Sequence, residues 1–582
     1  MKRILITVIV TALFLTSCGV QRADTGAPAS APGSAAASDT GKYPAYLNIG
    51  NTDNYWQVVK EGMEGGISVK MAVLHTPELD NWENTWLSKF YKTFMNIDFE
   101  VEPIMSSNLG ERKSLMFAAD DLPDILFNLD LSSAELYRYG QMEGQLLDLS
   151  LYIDDELTPN MLKHMNERPE AKAIAITPDG NMYSLPRILD KVNVGARVFV
   201  DTRWLDVCGI GKPETVDEFI TMLRLFKEND PTGVGRDQIL PIGGADKWNN
   251  PLYIIANAFG YVGFDCYGND RSIRNGDSEL MAANPEIYKD FITICHTLYS
   301  EGLISENWYE ALSLAEAFAQ VSDKRAGVFA TGVNRVDGYE EWMYWEALGP
   351  LTSKWNDKKL WPAPYASVVG FFCMSTKTEY AELGMRFADF FFPADSVMMS
   401  NGAHFGDDHE MQLGFPSILF IDPADGAVKE DISKLPGDYA SFGSYVNAKI
   451  GTFVRFGINT MQSVIDEYYG KWYEGYKPPQ IGVFDVTTSA GFINDTLWRT
   501  YLPYTSDPYP LYYYMDEETS LRASDLRAVI DPYVEEQLAM FAVGRRPLAE
   551  MDAFMDELNT LGIHELDAIY KGVYAVYLNA LK

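Results

Sequence analysis

Ile67-Ser68-Val69-Lys70-Met71-Ala72-Val73-Leu74 alternates with a period of two, the pattern of a β-strand. Trp82, Trp86, Phe90 and Phe94 follow at four-residue spacing and mark one stripe of a helix. Phe99 and Val101 open a second strand, residues 115–119 belong to a second helix, and Leu122-Pro123-Asp124-Ile125-Leu126-Phe127 reads as a short buried strand after a turn. Alternation of this kind predicts an α/β fold with a mostly parallel sheet covered by helices. Ligands of such sheets bind beyond the carboxyl ends of the strands. Here those ends are the loops 76–81 and 128–130.

The chain around this unit has 582 residues, 47% of them hydrophobic and 22% charged. That balance excludes wholesale disorder, and the length allows about three or four domain-sized units. Lys and Arg number 47 against 82 Asp and Glu, a formal net charge of −35. So acidic a surface repels phosphate backbones and argues against a nucleic-acid binder. Six His and five Cys argue against a multi-zinc protein or a disulfide scaffold. Aromatic residues reach 13%, which provides many flat apolar faces for core or ligand.

At the amino terminus Lys2 and Arg3 precede an apolar run from Ile4 to Leu15. The run is shorter than the roughly 20 residues of a mature membrane span, and it reads as a secretory signal. Leu15-Thr16-Ser17-Cys18 resembles the bacterial lipobox, which implies that Cys18 is diacylated and becomes the first mature residue. Residues 21–40 are mostly Ala, Ser, Gly, Pro, Asp and Thr. They bury too little to offset their ordering entropy and are expected to form a flexible tether. Cys208, Cys266, Cys295 and Cys373 sit among apolar neighbours. Buried free thiols are expected, with a Cys266–Cys295 bridge as the alternative.

Downstream, a new α/β unit begins near Val198, and Thr215-Val216-Asp217-Glu218 fits a capping box. Further helices are expected over about 285–299 and 386–392, with a buried strand at Arg325-Ala326-Gly327-Val328-Phe329-Ala330. Residues 442–514 are dense in Tyr, Trp, Gly and Pro. Two capped helices are expected to close the chain, one starting at Asp531-Pro532 and the other stopped by Gly562.

Gly276-Asp277-Ser278 echoes an esterase motif, but it follows a polar turn and no Asp-x-x-His lies downstream, so turn residues are the expectation. His404-Phe405-Gly406-Asp407-Asp408-His409-Glu410 crowds potential metal ligands, yet Gly406 argues against helical geometry, and a loop is expected. The segment from Asp230 to Gln238 looks like a degraded calcium loop, with Asp230 as its one weak candidate ligand. Trp82, Trp248 beside Asn249 and Asn250, and Trp355 beside Asn356 and Asp357 sit in predicted loops, where a ring could stack on the C–H face of a sugar.

The order of motifs resembles the extracellular solute-binding proteins of ABC importers, most nearly the long lipoprotein branch of the family-1, sugar-type binders of Gram-positive bacteria. The likeness is carried by Leu122-Pro123-Asp124-Ile125, by Asp179-Gly180-Asn181-Met182-Tyr183-Ser184-Leu185-Pro186 and by Asp201-Thr202-Arg203-Trp204-Leu205. Pro213-Glu214-Thr215-Val216-Asp217-Glu218-Phe219, Tyr299-Ser300-Glu301-Gly302-Leu303-Ile304, Arg386-Phe387-Ala388-Asp389-Phe390 and Gly544-Arg545-Arg546-Pro547-Leu548 continue it. One departure is that Thr232, Val234, Gln238 and Ile239 stand where the family commonly has Asp, Asn or acidic residues, which puts its calcium in doubt.

The resemblance implies a two-lobe, type II periplasmic-binding-protein-like fold with a hinge and an interlobe cleft. It divides the chain into a signal peptide (1–17), a tether (18–45), a first part of lobe one (46–188), a first part of lobe two (189–365) and returning segments that complete both (366–582). Pro186 to Asp190 and Pro364 to Val368 would be hinge crossings. The implied function is capture of a carbohydrate, expected to be an oligosaccharide, and delivery to ABC permease subunits by a monomer anchored on the outer face of the cell membrane. No cofactor, catalytic residue or nucleic acid is implied. In the family register Asp80, Asn81, Trp82 and Asn128 would face the ligand from lobe one and Arg187 from the hinge. Trp248, Asn334, Arg335 and Tyr365 would face it from lobe two or the crossing. The alternatives are a surface glycan hydrolase or esterase, and a binder of a non-sugar solute such as a peptide.

Overall fold

The structure is a computed structural model. It describes residues 42–581 apart from 50–55, 190–196, 244–249, 306–318, 331–341, 395–417 and shorter stretches at 64, 66, 364, 366 and within 438–488. Trp248, Asn334, Arg335, Cys18 and the 404–410 segment lie outside the described residues.

Followed along the chain, β1 (Val69–His75) leads to α1 (Trp86–Thr93), β2 (Phe99–Met105), α2 (Leu109–Ala118) and β3 (Ile125–Phe127). Val69, Met71, Ala72 and Val73 of β1 are all buried, because helices cover both faces of the sheet. The Thr85 hydroxyl accepts the Ser88 N–H at 3.3 Å and so fixes the start of α1. Trp82 falls one turn earlier, in a separate 3₁₀ turn, so the aromatic stripe is interrupted although Trp82 and Trp86 are both buried. The short β4 (Arg187–Ile188) then precedes β5 (Val198–Asp201) and α3 (Val216–Asn229). At the start of α3 the Thr215 hydroxyl accepts the Glu218 N–H at 3.2 Å, while the Glu218 carboxylate accepts from the Glu214 N–H at 2.8 Å. This is a capping box shifted by one residue in its return bond.

Next come β6 (Ser272–Arg274), β7 (Asp277–Glu279), α4 (Pro285–Ser300), β8 (Val328–Ala330), β9 (Trp345–Ala347) and β10 (Trp361–Pro362). β6 and β7 form a hairpin whose turn holds Asn275 at φ 53° and Gly276 at φ 83°. Two positive φ values in a two-residue loop match the strand twist, and Asn-Gly suits them. The Gly-Asp-Ser stretch is therefore turn and strand, as expected. The chain returns through β11 (Ser367–Val368), β12 (Phe372–Met374) and α5 (Ala381–Asp389), and then α6 (Ser489–Tyr501) and β13 (Thr505–Ser506). It ends in α7 (Glu517–Ala542), α8 (Met551–Leu561) and α9 (Ile563–Ala580).

The first sheet has the order β12-β3-β1-β2. β1 is parallel to β2 and β3, with Val69 opposite Phe99 and Met71 opposite Ile125. β12, some 245 residues after β3, adds an antiparallel edge, with Phe372 opposite Phe127. The second sheet, β8-β5-β9, is antiparallel throughout, and the second unit has parallel pairing between the short β10 and β13, so the mostly parallel sheet is that of the first unit. Two expectations for the C-terminus are corrected. Asp531-Pro532 does not start a helix. α7 is capped fifteen residues earlier by Asp516, whose carboxylate accepts the Thr519 N–H at 2.8 Å, and it runs through Pro532. Its buried face of Leu526, Ile530, Val534, Leu538 and Phe541 outweighs the hydrogen bond that proline removes. Beyond Gly562 the chain also continues directly into α9, a third closing helix.

Two hydrophobic cores result. One gathers residues between Leu47 and Ile188 and between Val369 and Tyr469, with Phe127, Phe372 and Phe391 ringed around Phe456 at 5.5, 4.9 and 4.7 Å between centroids. The other gathers residues between Val198 and Trp361 and between Ile493 and Tyr574, with Trp361 stacked on Tyr501 at 4.0 Å. The four mature cysteines are free thiols; Cys266, Cys295 and Cys373 are buried and Cys208 is half-buried.

Candidate functional site

The chain changes core three times: after Ile188, between Trp361 and Val369, and between Tyr469 and Ile493. The crossings are held by few bonds. Arg187 and Ile188 of β4 pair antiparallel with Val368 and Ser367 of β11. Ile188 N–H donates to the Gly457 carbonyl at 2.7 Å, and Gly457 N–H to the Pro186 carbonyl at 3.0 Å. Narrow, strand-end connections between two packed bodies are the anatomy of a hinge.

A fourth piece of chain lies where the bodies meet. Residues 511–515 run Leu-Tyr-Tyr-Tyr-Met without regular secondary structure. Tyr512 and Tyr514 pack on the first core, Tyr513 and Met515 on the second. The period of two is that of an extended segment lodged between two surfaces.

Against this segment opens a crevice of about 630 Å³. Ser132, Ser133 and Ala134 line it from the first body, just beyond the carboxyl end of β3. Arg271, Tyr513, Tyr570 and the α7 residues Ser520, Ser524, Arg527 and Asp531 line it from the second. A smaller space of about 290 Å³ lies beside the crossing, between Pro169, Glu170 and Ile174 and the Pro508 to Leu511 stretch. A third, of about 140 Å³, runs from Gly263 to Arg271. Leu511 borders all three.

The polar wall of the crevice is a closed network. Arg527 and Asp531 are one helical turn apart on α7 and pair at 2.7 Å. Arg527 also donates to the Tyr570 hydroxyl at 3.1 Å and lies 3.5 Å from Asp270. Arg271 pairs with Asp270 at 3.1 Å and donates to the Tyr513 hydroxyl. Asn269 donates to the other Asp531 oxygen at 3.1 Å. Burial alone would raise the Asp270 carboxyl, but the guanidiniums of Arg271 and Arg527 hold it below its usual range. Burial raises the Tyr513 phenol, so it stays a neutral donor at physiological pH. Seryl and phenolic hydroxyls beside aromatic rings and paired charges can bind a polyhydroxylated ligand by hydrogen bonds and stacking.

Of the residues expected from the sequence, Tyr365 lines the second and third spaces, and burial, then Asp270, push its phenol up to about 12. Asp80, Asn81, Trp82, Asn128 and Arg187 line none of the three. Asp80 pairs with Lys449 at 2.5 Å, which holds its carboxyl below the usual range. Asn81 caps the 3₁₀ turn by accepting the Glu83 N–H at 3.3 Å. Trp82 packs into the first core beside Tyr91. Asn128 is fully buried at φ 60°, with its N–H on the Phe371 carbonyl. Arg187 is half-buried in the β4–β11 crossing. Trp355 donates its indole N–H to Asp290 at 2.7 Å. Sequence reasoning missed Arg271, Arg527, Asp531, Tyr513 and Tyr570. The spacing of Arg527 and Asp531 and the run of three tyrosines were the available signals.

The calcium loop does not fit its ion. Asp230 is the one carboxylate at its start, and one of its oxygens already accepts the Gly235 N–H at 2.9 Å. The Thr232 hydroxyl donates to the Lys324 carbonyl at 2.9 Å, Val234 is exposed and Ile239 is buried in the second core. Calcium takes six to eight oxygens, several of them anionic; this loop presents alkyl groups where two would stand.

No family model matches the chain. Aligned over 487 residues, 81% of this chain and 83% of the relative, it is 24% identical to the fructooligosaccharide ABC transporter substrate-binding protein FusA of Streptococcus pneumoniae. It is 24% identical over 364 residues to lipoprotein LipO of Bacillus subtilis, which covers 59% of this chain and 68% of that one. The solved structure of FusA in complex with kestose superposes with a TM-score of 0.62 at 22% identity, over 88% of this chain and all of that one. An HMO-binding solute-binding protein from Bifidobacterium longum infantis superposes with a TM-score of 0.68 at 21% identity, over 88% and 99% of the two chains. The chain is thus similar in sequence to solute-binding proteins of ABC importers and shares their two-lobe fold. Its two cores are the two lobes of that α/β fold, and its crevice opens between them.

Proposed function

We propose that the protein captures a carbohydrate, most naturally an oligosaccharide, between its lobes and passes it to the permease subunits of an ABC importer. The observation that carries this reading is the interlobe crevice, walled by Tyr513, Tyr570, Arg271, Arg527 and four serines and set between two cores that the chain crosses between at strand ends. Closure about the hinge buries the ligand and turns both lobes into a new composite surface for the permease. The relatives' sugar-transport roles support the ligand class. Cys18, lipidated, holds the protein at the outer face of the membrane, and the tether keeps it near its permease at high effective concentration. The positions where the cores exchange chain support lobe boundaries near 188 and 365. Tyr365 is proposed as a ligand-side residue at the crossing; Trp248, Asn334 and Arg335 are proposed as ligand residues on the sequence alone.

Titration calorimetry of the mature protein against a panel of mono- and oligosaccharides tests the reading. Saturable one-to-one binding of at least one oligosaccharide, with no turnover of the sugar, is expected. Binding of peptides alone, or release of cleaved product, would overturn it. Replacing Cys18 by Ala should move the protein from the membrane fraction to the medium.

A further inference from the structure

We infer that the crevice is selective for neutral oligosaccharides and rejects chains that carry uronate carboxylates. The inference rests on the sugar-binding reading above and narrows it. Of the described residues on the crevice wall, Arg271, Arg527 and Asp531 carry charge, and Asp270 stands directly behind both guanidiniums. The two cations are thus matched by two carboxylates. Arg271 is engaged on its edge by Asp270 and Tyr513, and its guanidinium carbon sits 4.9, 5.6 and 5.8 Å from the ring centroids of Tyr513, Tyr570 and Tyr509. Arg527 is engaged by Asp531, Tyr570 and Asp270. Their side chains are 24% and 31% exposed, so the pairs are partly withdrawn from water.

A uronate entering this space would lose hydration and, among the described residues of the wall, meet two cations that are both already paired. It would also stand near two carboxylates that compete for the same guanidiniums. Desolvating a charge without a partner costs far more than desolvating a hydroxyl. Neutral hydroxyls meet the opposite situation. The phenol oxygen of the half-buried Tyr513 accepts from the Arg271 guanidinium, which leaves its own O–H group to donate to a ligand. A donor polarised by an adjacent cation makes a stronger hydrogen bond. The seryl hydroxyls can donate and accept, and the half-buried Tyr513 leaves part of its ring to sugar C–H groups.

The test is calorimetry of the mature protein at pH 7 with two probes of equal length, a neutral fructo-oligosaccharide series and oligogalacturonate. The expected result is binding of a neutral chain at least about tenfold tighter than the uronate, a discrimination that mismatched buried polar groups readily supply. Equal or tighter binding of oligogalacturonate overturns the inference while leaving the transport reading standing. Binding of neither sugar overturns the inference, and the transport reading falls with it only when every sugar of the wider panel also fails to bind. Each measurement is repeated at high salt, where long-range repulsion from the −35 exterior is screened. Recovery of uronate binding there would assign the rejection to overall charge and overturn the local account. Two variants locate the effect. Asp531→Asn removes one of the two carboxylates beside Arg527 and should raise uronate affinity several-fold, and Asp270→Asn should do the same should the first variant fold poorly. Ser524→Trp fills the crevice and should abolish neutral-sugar binding at unchanged melting temperature. Unaltered binding by that variant contradicts placement of the site.

Discussion

Asp154 shows how one carboxylate ties down the start of the folded body. It accepts N–H bonds from Glu156 and Leu157, each at 2.8 Å, as well as the Tyr43 hydroxyl, and Lys42 lies 3.3 Å away. Burial pushes its pKa up, but these donors win and bring it down to about 2. Because the folded value lies below the unfolded one, the stabilisation is complete above about pH 4 and fades as pH falls toward 2. Asp154→Asn should therefore lower stability at pH 7 by about 1–2 kcal/mol. In urea titrations the gap to wild type should stay constant down to about pH 4 and shrink below it; a gap that widens in acid would contradict the assignment. At Asp230 the prediction is an absence of effect. The loop closes on its own Gly235 N–H and on Lys324, so a chelator should leave the melting temperature within about 1 °C of its value in calcium, where loss of a ligand-bound ion would shift it by several degrees. A larger drop on chelation would restore calcium to this site.

Among the elements, α7 runs through a proline that its sequence position disguises. Proline fits the first turn of a helix, so Asp531-Pro532 reads as a start, yet Asp516 has already capped the helix and Asp531 faces Arg527 across one turn. Pro532→Ala restores an N–H that can reach the Ala528 carbonyl. It should raise stability by about 1–3 kcal/mol in denaturant melts; unchanged or lower stability would mean that the helix needs its bend. The same element explains what sequence pattern could and could not convey. β1, β2 and β3 were legible because period-two apolar runs separated by helical stripes admit few other arrangements. β12 was not, since its partner β3 lies some 245 residues upstream and only the folded chain brings Phe372 opposite Phe127. Trp82 looked like a loop residue with ligand contact because nothing in the spacing reveals that Thr85 caps α1 and leaves Trp82 folded back into the core. The crevice was the least legible part. Arg271, Tyr513 and Arg527 come from a turn, an extended stretch and a helix, each unremarkable alone, and only tertiary packing joins them into one charge-balanced wall.

For the whole molecule, the two cores and the sparse crossings between them make relative movement the natural response to a ligand. The 511–515 segment touches both lobes at alternate residues, so closure must either slide it along one face or carry it as the seat about which the lobes turn. Energetically a sugar can shift the lobes only by as much as it prefers the closed arrangement. Contacts to Ser132 on one side and Arg271 on the other are therefore the ones that count, because a ligand that makes both bridges the two lobes. Small-angle X-ray scattering of the mature protein with and without a saturating neutral oligosaccharide measures this directly. The account predicts a smaller radius of gyration on binding, with unchanged mass; a bound sugar that leaves the scattering profile unaltered would contradict closure of two lobes around their ligand.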